Sequence, residues 1–447
     1  MKTDVSTQDV LELTVQHTYA TWRRQKGWKP MHVVDAEGCW FTDASGKRYL
    51  DMNSQLMCSN LGHKNQALID AIVKQAQTLA YIAPSYATDV RAELTRLLLE
   101  VFPKGLNKFF FATSGTEANE CAIKMARLFT GKHKIISRYR SYHGSTAGPV
   151  AATGDWRRWP IEPAGKIDGV VFAPDMFCYK CPLHHTYPGC GVACVEYIDY
   201  MIEREGNVAA VIVEPIVGTN GVLVPVDEYM PRLREITRKH GALLIADEVM
   251  TGWGRTGEWF AVNHWKVLPD ILTTAKGVTS AYVPLGVTAT SEEITRFFDD
   301  NLFPHGHTYE AHPLTLAPAV AAIHEYRRLN LIERSRTLGA TLGNKLKAMM
   351  ERHPSVGEVR GKGLFWALEL VKNRKTRQAF NTVQDKYEGK AMEVDKVTAA
   401  MLAQGVFAMS WVSHIILAPP LIISEEELET GLAALDKALE ITDALTV

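Results

Sequence analysis

The sequence predicts an α/β protein: a large unit built on a mostly parallel sheet, joined to a smaller α+β unit. Three observations predict it. From about residue 65, short apolar runs alternate with helical segments, the pattern of strands buried on both faces. After about residue 313 a long helical stretch gives way to a shorter strand-and-helix pattern. And 447 residues exceed the size at which a single core stops growing. The expected division is residues 1–64 as an N-terminal segment packing with the small unit, 65–312 as the large unit and 313–447 as the small one.

In chain order, a polar start from Thr7 to Arg24 reads as one helix. Residues 33–46 carry strand-like stretches broken by Glu37-Gly38 and Ser45-Gly46, which reads as a small meander. Helices are expected over Ala67–Leu79, Val90–Val101 and Glu117–Thr130. Strands are expected at Lys108–Ala112, Gly169–Ala173, Ala209–Val213, Ala242–Ala246 and Ile271–Thr274. The long helix runs from Leu314 to Glu351 with a break at Arg328-Leu329-Asn330, and the αβ pattern continues from Val356.

Composition narrows the function classes. Hydrophobic residues are 46% and charged residues 22%, values of an ordinary globular chain, not of a disordered or fibrous one. With 49 basic and 50 acidic residues the net charge is −1, which gives no support to nucleic-acid or anionic-membrane binding. No apolar run is long enough to span a bilayer and the N-terminus has no signal-peptide core. Seven cysteines are too few for a disulfide framework, so a reducing cytoplasm is the expected setting.

Four features can carry chemistry, three of them at the ends of expected strands, where open α/β sheets bind ligands. Ser114-Gly115-Thr116, opening a helix after a strand, can present backbone N–H groups to a phosphate or simply cap the helix. Asp247, ending the run begun at Ala242, can hold a ribose, a metal or a protonated ring nitrogen, or cap a helix. Lys276, just past the run begun at Ile271, is costly to bury unless paired or reactive, and a desolvated lysine can form a Schiff base. Tyr142 and His143 before Gly144 can flank a flat ligand or pack a loop. Taken together, a phosphate nest, an aromatic face, an acid and a lysine are the parts of a pyridoxal 5′-phosphate (PLP) site.

The order Ser114-Gly115-Thr116-Glu117-Ala118-Asn119-Glu120, Tyr142-His143-Gly144, Glu214-Pro215, Asp247 through Gly257, Lys276-Gly277 and Gly306-His307-Thr308-Tyr309 resembles the class III aminotransferases, many of them called ω-transaminases. The resemblance runs from about Val33 to about Ile423. It implies PLP fold type I with a seven-stranded type of sheet, and a homodimer. It implies Lys276 as the lysine that bonds PLP and shuttles the substrate proton. Asp247 would bind the pyridine nitrogen, Tyr142 and Val249 would cover the two ring faces, and His143 would join the cofactor site. Ser114, Gly115 and Thr116 would hold the phosphate, and Thr308 would reach the phosphate of the neighbouring subunit. Glu214 would stand near the ring hydroxyl and the substrate. Arg255 would be structural. The implied reaction moves an amino group from a primary amine or ω-amino acid, with taurine and β-alanine types first, to a 2-oxo acid such as pyruvate or 2-oxoglutarate by a ping-pong mechanism. PLP lyases, aminomutases and decarboxylases of the same class are the alternative, and a noncatalytic metal-binding protein is a remote one.

The sequence also departs from that pattern. Residues 405–420 hold no arginine before Pro419-Pro420, where many relatives have one that binds the acceptor's α-carboxylate. Ser145 follows Tyr142-His143-Gly144, where enzymes acting on γ-aminobutyrate often have arginine. Met57 takes the place of a frequent tryptophan. The substrate-pocket candidates are Met57, Tyr81, Trp156, Trp411 and His414, each of which can also be a packing side chain. Arg157 and Arg158 are candidate carboxylate or sulfonate binders, or else surface or interface residues. No residue is assigned to a metal. Cys178 and Cys181, with Cys190 and Cys194, form a cluster that fits either a four-thiolate zinc site or buried free thiols.

Overall fold

The computed structural model describes residues 6–164 and 168–447. Its centre is a seven-stranded sheet. The strands lie in the order Leu106–Ala112, Gly286–Ser291, Ile271–Thr274, Leu243–Asp247, Val208–Val213, Lys134–Arg138 and Val170–Ala173. Gly286–Ser291 runs antiparallel to both of its neighbours, and the pairs beyond it are parallel. Every residue of Val208–Val213, Leu243–Asp247 and Ile271–Thr274 is buried. Helices cover both faces, which is why Val208–Val213 and residues 243–246 read as unbroken apolar runs.

Two strands of this sheet escape the sequence pattern. Lys134–Arg138 has only two apolar residues between charged ends, and Gly286–Ser291 is built from Gly, Thr, Ala and Val. The latter lies between Leu106–Ala112 and Ile271–Thr274, with the Thr288 hydroxyl donating to the Ala118 carbonyl on the covering helix. Small side chains leave room there for that helix, at the expense of an apolar signature.

The meander is present as Val33–Glu37, Trp40–Asp43 and Arg48–Asp51, and the last of these pairs in parallel with Val406–Phe407. A third sheet, antiparallel, joins Val356–Lys362, Phe365–Asn373, His414–Leu417 and Met409–Trp411. The long helix breaks where expected, into Pro313–Arg328 and Leu331–Arg352, with Asn330 at φ 49° turning the chain between them. The N-terminal helix is shorter than expected. It spans Thr7–His17, starts at a capping box between Ser6 and Asp9, and ends at Thr18, whose backbone is extended. None of its residues is buried, so no packing extends it to Arg24. Among the described residues, no helix is long and apolar enough to cross a membrane.

Candidate active site

The carboxyl ends of the sheet strands bring the main candidates to one place. Ser114, Gly115 and Thr116 follow Leu106–Ala112, Tyr142 and His143 follow Lys134–Arg138, and Glu214 follows Val208–Val213. Asp247 ends its strand and Lys276 follows Ile271–Thr274. These residues, with Val249, line one cavity of about 170 Å³.

Its floor is a hydrogen-bonded knot. Asp247 Oδ2 accepts from Asn119 Nδ2 at 2.7 Å and lies 2.8 Å from His143 Nδ1, while Oδ1 accepts from the Val249 amide at 3.0 Å. Thr273 Oγ1 donates to Asn119 Oδ1 at 2.6 Å, which fixes the direction of that amide. A carboxylate offers about four acceptor positions, and these three bonds leave one for the cavity. Asn119 is missing from the sequence-derived set. Its place one turn into the helix reads as a polar helical residue until the strand partners are known.

Glu214 is buried. Its Oε1 accepts from the Tyr142 amide at 3.0 Å and its Oε2 from the Gly218 amide at 2.7 Å. Burial raises its pKa. Burial lowers the pKa of Lys276, whose backbone adopts φ 48°, a left-handed conformation rare for a residue with a long side chain.

Helix Gly115–Thr130 opens on this cavity. Ser114 caps it, accepting from the Glu117 amide, so the Gly115 and Thr116 amides begin the first turn with no intrahelical acceptor. Two glycines keep this end accessible. A Cβ on Gly115 would lie 2.8 Å from Val249, and one on Gly144, at φ +139°, would lie 2.6 Å from Thr116 Oγ1.

Arg157 corrects one reading of the sequence: it is no surface residue. It is 5% exposed, with Cζ 3.7 Å from the Tyr142 ring centroid and 4.8 Å from that of Trp411. Its Nε bonds both oxygens of Asp155, at 3.1 and 2.9 Å, and its Nη2 donates to Thr219 Oγ1 at 3.0 Å. Trp22, from the segment after the first helix, meets the Tyr142 ring edge-on at 6.0 Å. Arg158 instead pairs with Glu162 and lies over Phe172.

The substrate candidates divide. Trp156, Trp411 and His414 line a second cavity of about 250 Å³. Trp411 and His414 are cross-strand partners in the hairpin closing the third sheet, and the Trp156 and Trp411 rings stack at 6.1 Å. Met57 is buried beside Asn53 Nδ2 and Tyr81 is exposed; neither lines either cavity. Thr308 lies with Tyr81, its carbonyl accepting from the Tyr81 hydroxyl at 3.0 Å, outside the cavity of Lys276.

Arg255 is fully buried. It ties four segments together through the carbonyls of Leu364 and Pro419, Ser54 Oγ and Asn60 Oδ1. Cys178, Cys181, Cys190 and Cys194 are free thiols around one small cavity, and among the described residues no group of three or more His, Cys, Asp or Glu is arranged to hold a metal.

Comparison with known proteins agrees with this geometry. The family model of class-III aminotransferases matches residues 22–439. An uncharacterized aminotransferase of Bacillus subtilis is 38% identical, over 91% of this chain and 92% of its own. The taurine–pyruvate aminotransferase of Bilophila wadsworthia is 33% identical over 97% and 98%. The solved taurine:2-oxoglutarate aminotransferase of Bifidobacterium kashiwanohense, in complex with PLP and glutamate, superposes with a TM-score of 0.93 at 38% identity, covering 99% of each chain. This chain therefore belongs to the class III aminotransferases, PLP-dependent transaminases of fold type I.

Proposed function

We propose that the protein transfers the amino group of a short ω-amino acid with an anionic end, of the taurine or β-alanine type, to a 2-oxo acid. The observation that carries this reading is Arg157: a buried guanidinium against the Tyr142 ring, held by Asp155 through Nε and Nη2 and touching Thr219 on the wall of the Lys276 cavity, with its Nη1 making no hydrogen bond among the described residues. A sulfonate or carboxylate is the group a fixed guanidinium binds best. Similarity to two taurine aminotransferases points the same way.

The residues present fit PLP. Asp247 has one acceptor position left for a ring N–H, and the open first turn of helix Gly115–Thr130 suits a phosphate. In this reading Ser114, Gly115 and Thr116 bind the phosphate, and Thr308 of the partner subunit completes its shell in a homodimer. Tyr142 and Val249 cover the two ring faces. His143, its Nδ1 against Asp247, holds that carboxylate in register, and Asp247 would hold a proton on the pyridine nitrogen. When bound, PLP supplies an electron sink for the pair released as the substrate C–H bond breaks. Lys276 Nζ would take that proton from the carbon bearing the amine and carry it as the ammonium. Burial lowers its pKa, which favours the neutral, proton-accepting form of the amine. Glu214, anchored by two backbone amides, fixes the Tyr142 loop beside the ring. The donor leaves as a carbonyl compound and the 2-oxo acid as its 2-amino acid.

The test is the visible spectrum of the PLP-loaded protein against single amines without acceptor. Taurine or β-alanine should bleach the yellow band, and a 2-oxo acid should restore it. Bleaching by α-amino acids or aromatic amines but by neither of these two would overturn the donor assignment.

A further inference from the structure

The second cavity holds a set of polar groups that the reaction described so far does not use. Its wall contains three buried side-chain nitrogens without a hydrogen-bond partner: Trp156 Nε1, Asn220 Nδ2 and His414 Nδ1. An unpaired buried polar atom costs about 1–3 kcal/mol, so three around one cavity of about 250 Å³ mark a place built for a polar guest.

The orientation of each group is set by its other bonds. Asn220 Oδ1 accepts from Trp411 Nε1 at 3.2 Å, so the Nδ2 end is the free one. His414 Nε2 lies 3.0 Å from the Thr219 carbonyl and must donate to it, which leaves Nδ1 as an acceptor. Two donors and one acceptor therefore face this space.

A cation is present too. Arg140 lines the cavity: its Cζ lies 4.6 Å from the Phe177 ring centroid, its Nε is 3.8 Å from Asp175 and its Nη1 donates to the Asn220 carbonyl at 3.4 Å, so it has no close carboxylate partner among the described residues. Its side chain is 30% exposed. Asp155, the other carboxylate of this wall, is committed to Arg157. Arg140, Val412 and Ser413 also line an outer cavity of about 390 Å³.

The two inner cavities adjoin. Thr219 lines the Lys276 cavity and the next residue, Asn220, lines the second one. Arg157 stands between them, bonded to Thr219 on one side and to Asp155 on the other. A molecule reacting at Lys276 and reaching beyond Thr219 would meet the wall of the second cavity.

We propose that the second cavity is the subsite for the far carboxylate of a dicarboxylic 2-oxo acid acceptor, with Arg140 as its charge partner and Asn220 Nδ2 and Trp156 Nε1 as its hydrogen-bond donors. It rests on the reading of this chain as a donor-to-2-oxo-acid transaminase and adds which acceptor class it prefers. His414 Nδ1 takes part through a bridging water or hydroxyl.

The experiment compares 2-oxoglutarate with pyruvate as acceptors for the amino-loaded enzyme, in the parent and in Arg140→Gln and Arg140→Lys. The ratio of kcat/KM values, 2-oxoglutarate over pyruvate, should fall fivefold or more in Arg140→Gln and recover in part in Arg140→Lys. A smaller fall, or an equal loss with both acceptors, overturns the proposal. Calorimetry of the parent protein with glutarate and butyrate gives a second reading that needs neither turnover nor a variant. Glutarate should bind at least fivefold tighter, and equal binding overturns the proposal. Failure of taurine and β-alanine to bleach the enzyme while glutarate still binds would remove the donor assignment and leave this one standing.

Discussion

Asn119 Nδ2 donates to Asp247 Oδ2 at 2.7 Å and to the His143 carbonyl at 2.8 Å, so one side-chain amide joins the acid of the site to the loop carrying Tyr142. The amide cannot turn, because Thr273 Oγ1 donates to its oxygen. Replacing it should loosen both partners at once. Asn119→Ala is expected to lower kcat about tenfold, the scale of a lost hydrogen bond to a charged group, and to weaken PLP retention. Both are read from single-turnover bleaching and from cofactor loss on dilution. Unchanged values would mean that His143 and Val249 hold Asp247 unaided.

Lys276 gives a sharper test. Burial lowers its pKa, and its backbone is held at φ 48°. Lys276→Ala should still fold and take up PLP noncovalently, while transamination falls by at least about 10²–10⁴, the range of general acid–base catalysis. Normal turnover by this variant would remove Lys276 from the reaction.

Much of this site is legible in the sequence because its parts occupy junctions. Asp247 ends a strand buried throughout, Lys276 follows another, and Ser114 through Thr116 follow the apolar run at residues 109–112, so the ends of these strands show in the sequence. The connections between junctions are not legible. Asn119 meets Asp247 only because helix Gly115–Thr130 lies across the strand holding Thr273. Arg157 meets Trp411 only because the hairpin of the third sheet packs against the loops holding Trp156 and Asn220. Strand Gly286–Ser291 escapes for a different reason: it lies inside the sheet yet is made of small residues. Pattern reading finds hydrophobic bulk, and this strand achieves burial without it.

The anion assignment to Arg157 predicts a charge-specific defect. Arg157→Gln should raise KM for taurine or β-alanine about tenfold or more, from the loss of a charge-assisted bond worth roughly 1.5–3 kcal/mol. KM for an uncharged primary amine should move far less. Because the change also leaves buried Asp155 without its partner, the two donors must be compared on the same preparation at equal PLP content. Equal shifts for both would make Arg157 a packing residue.

Glu248, next to Asp247, predicts a pH dependence of stability. It is fully buried, accepting from the Val262 amide at 2.8 Å and from Thr251 Oγ1, and burial raises its pKa to about 7. The unfolded chain releases this proton near the ordinary glutamate value, so between about pH 4.5 and 7 the folded state binds more protons than the unfolded one. Its contribution to stability is therefore greatest below about pH 4.5, declines as pH rises, and is lost above about 7. Gln keeps an acceptor for the Val262 amide and offers a donor to Thr251 without carrying charge. Glu248→Gln should flatten this part of the stability profile, and relative to the parent it should gain on the order of 2–3 kcal/mol between pH 4.5 and 8. Denaturant titrations of both proteins across that range measure the difference directly. Parallel profiles would mean that Glu248 is already ionised in the folded protein, stabilised by its two hydrogen bonds.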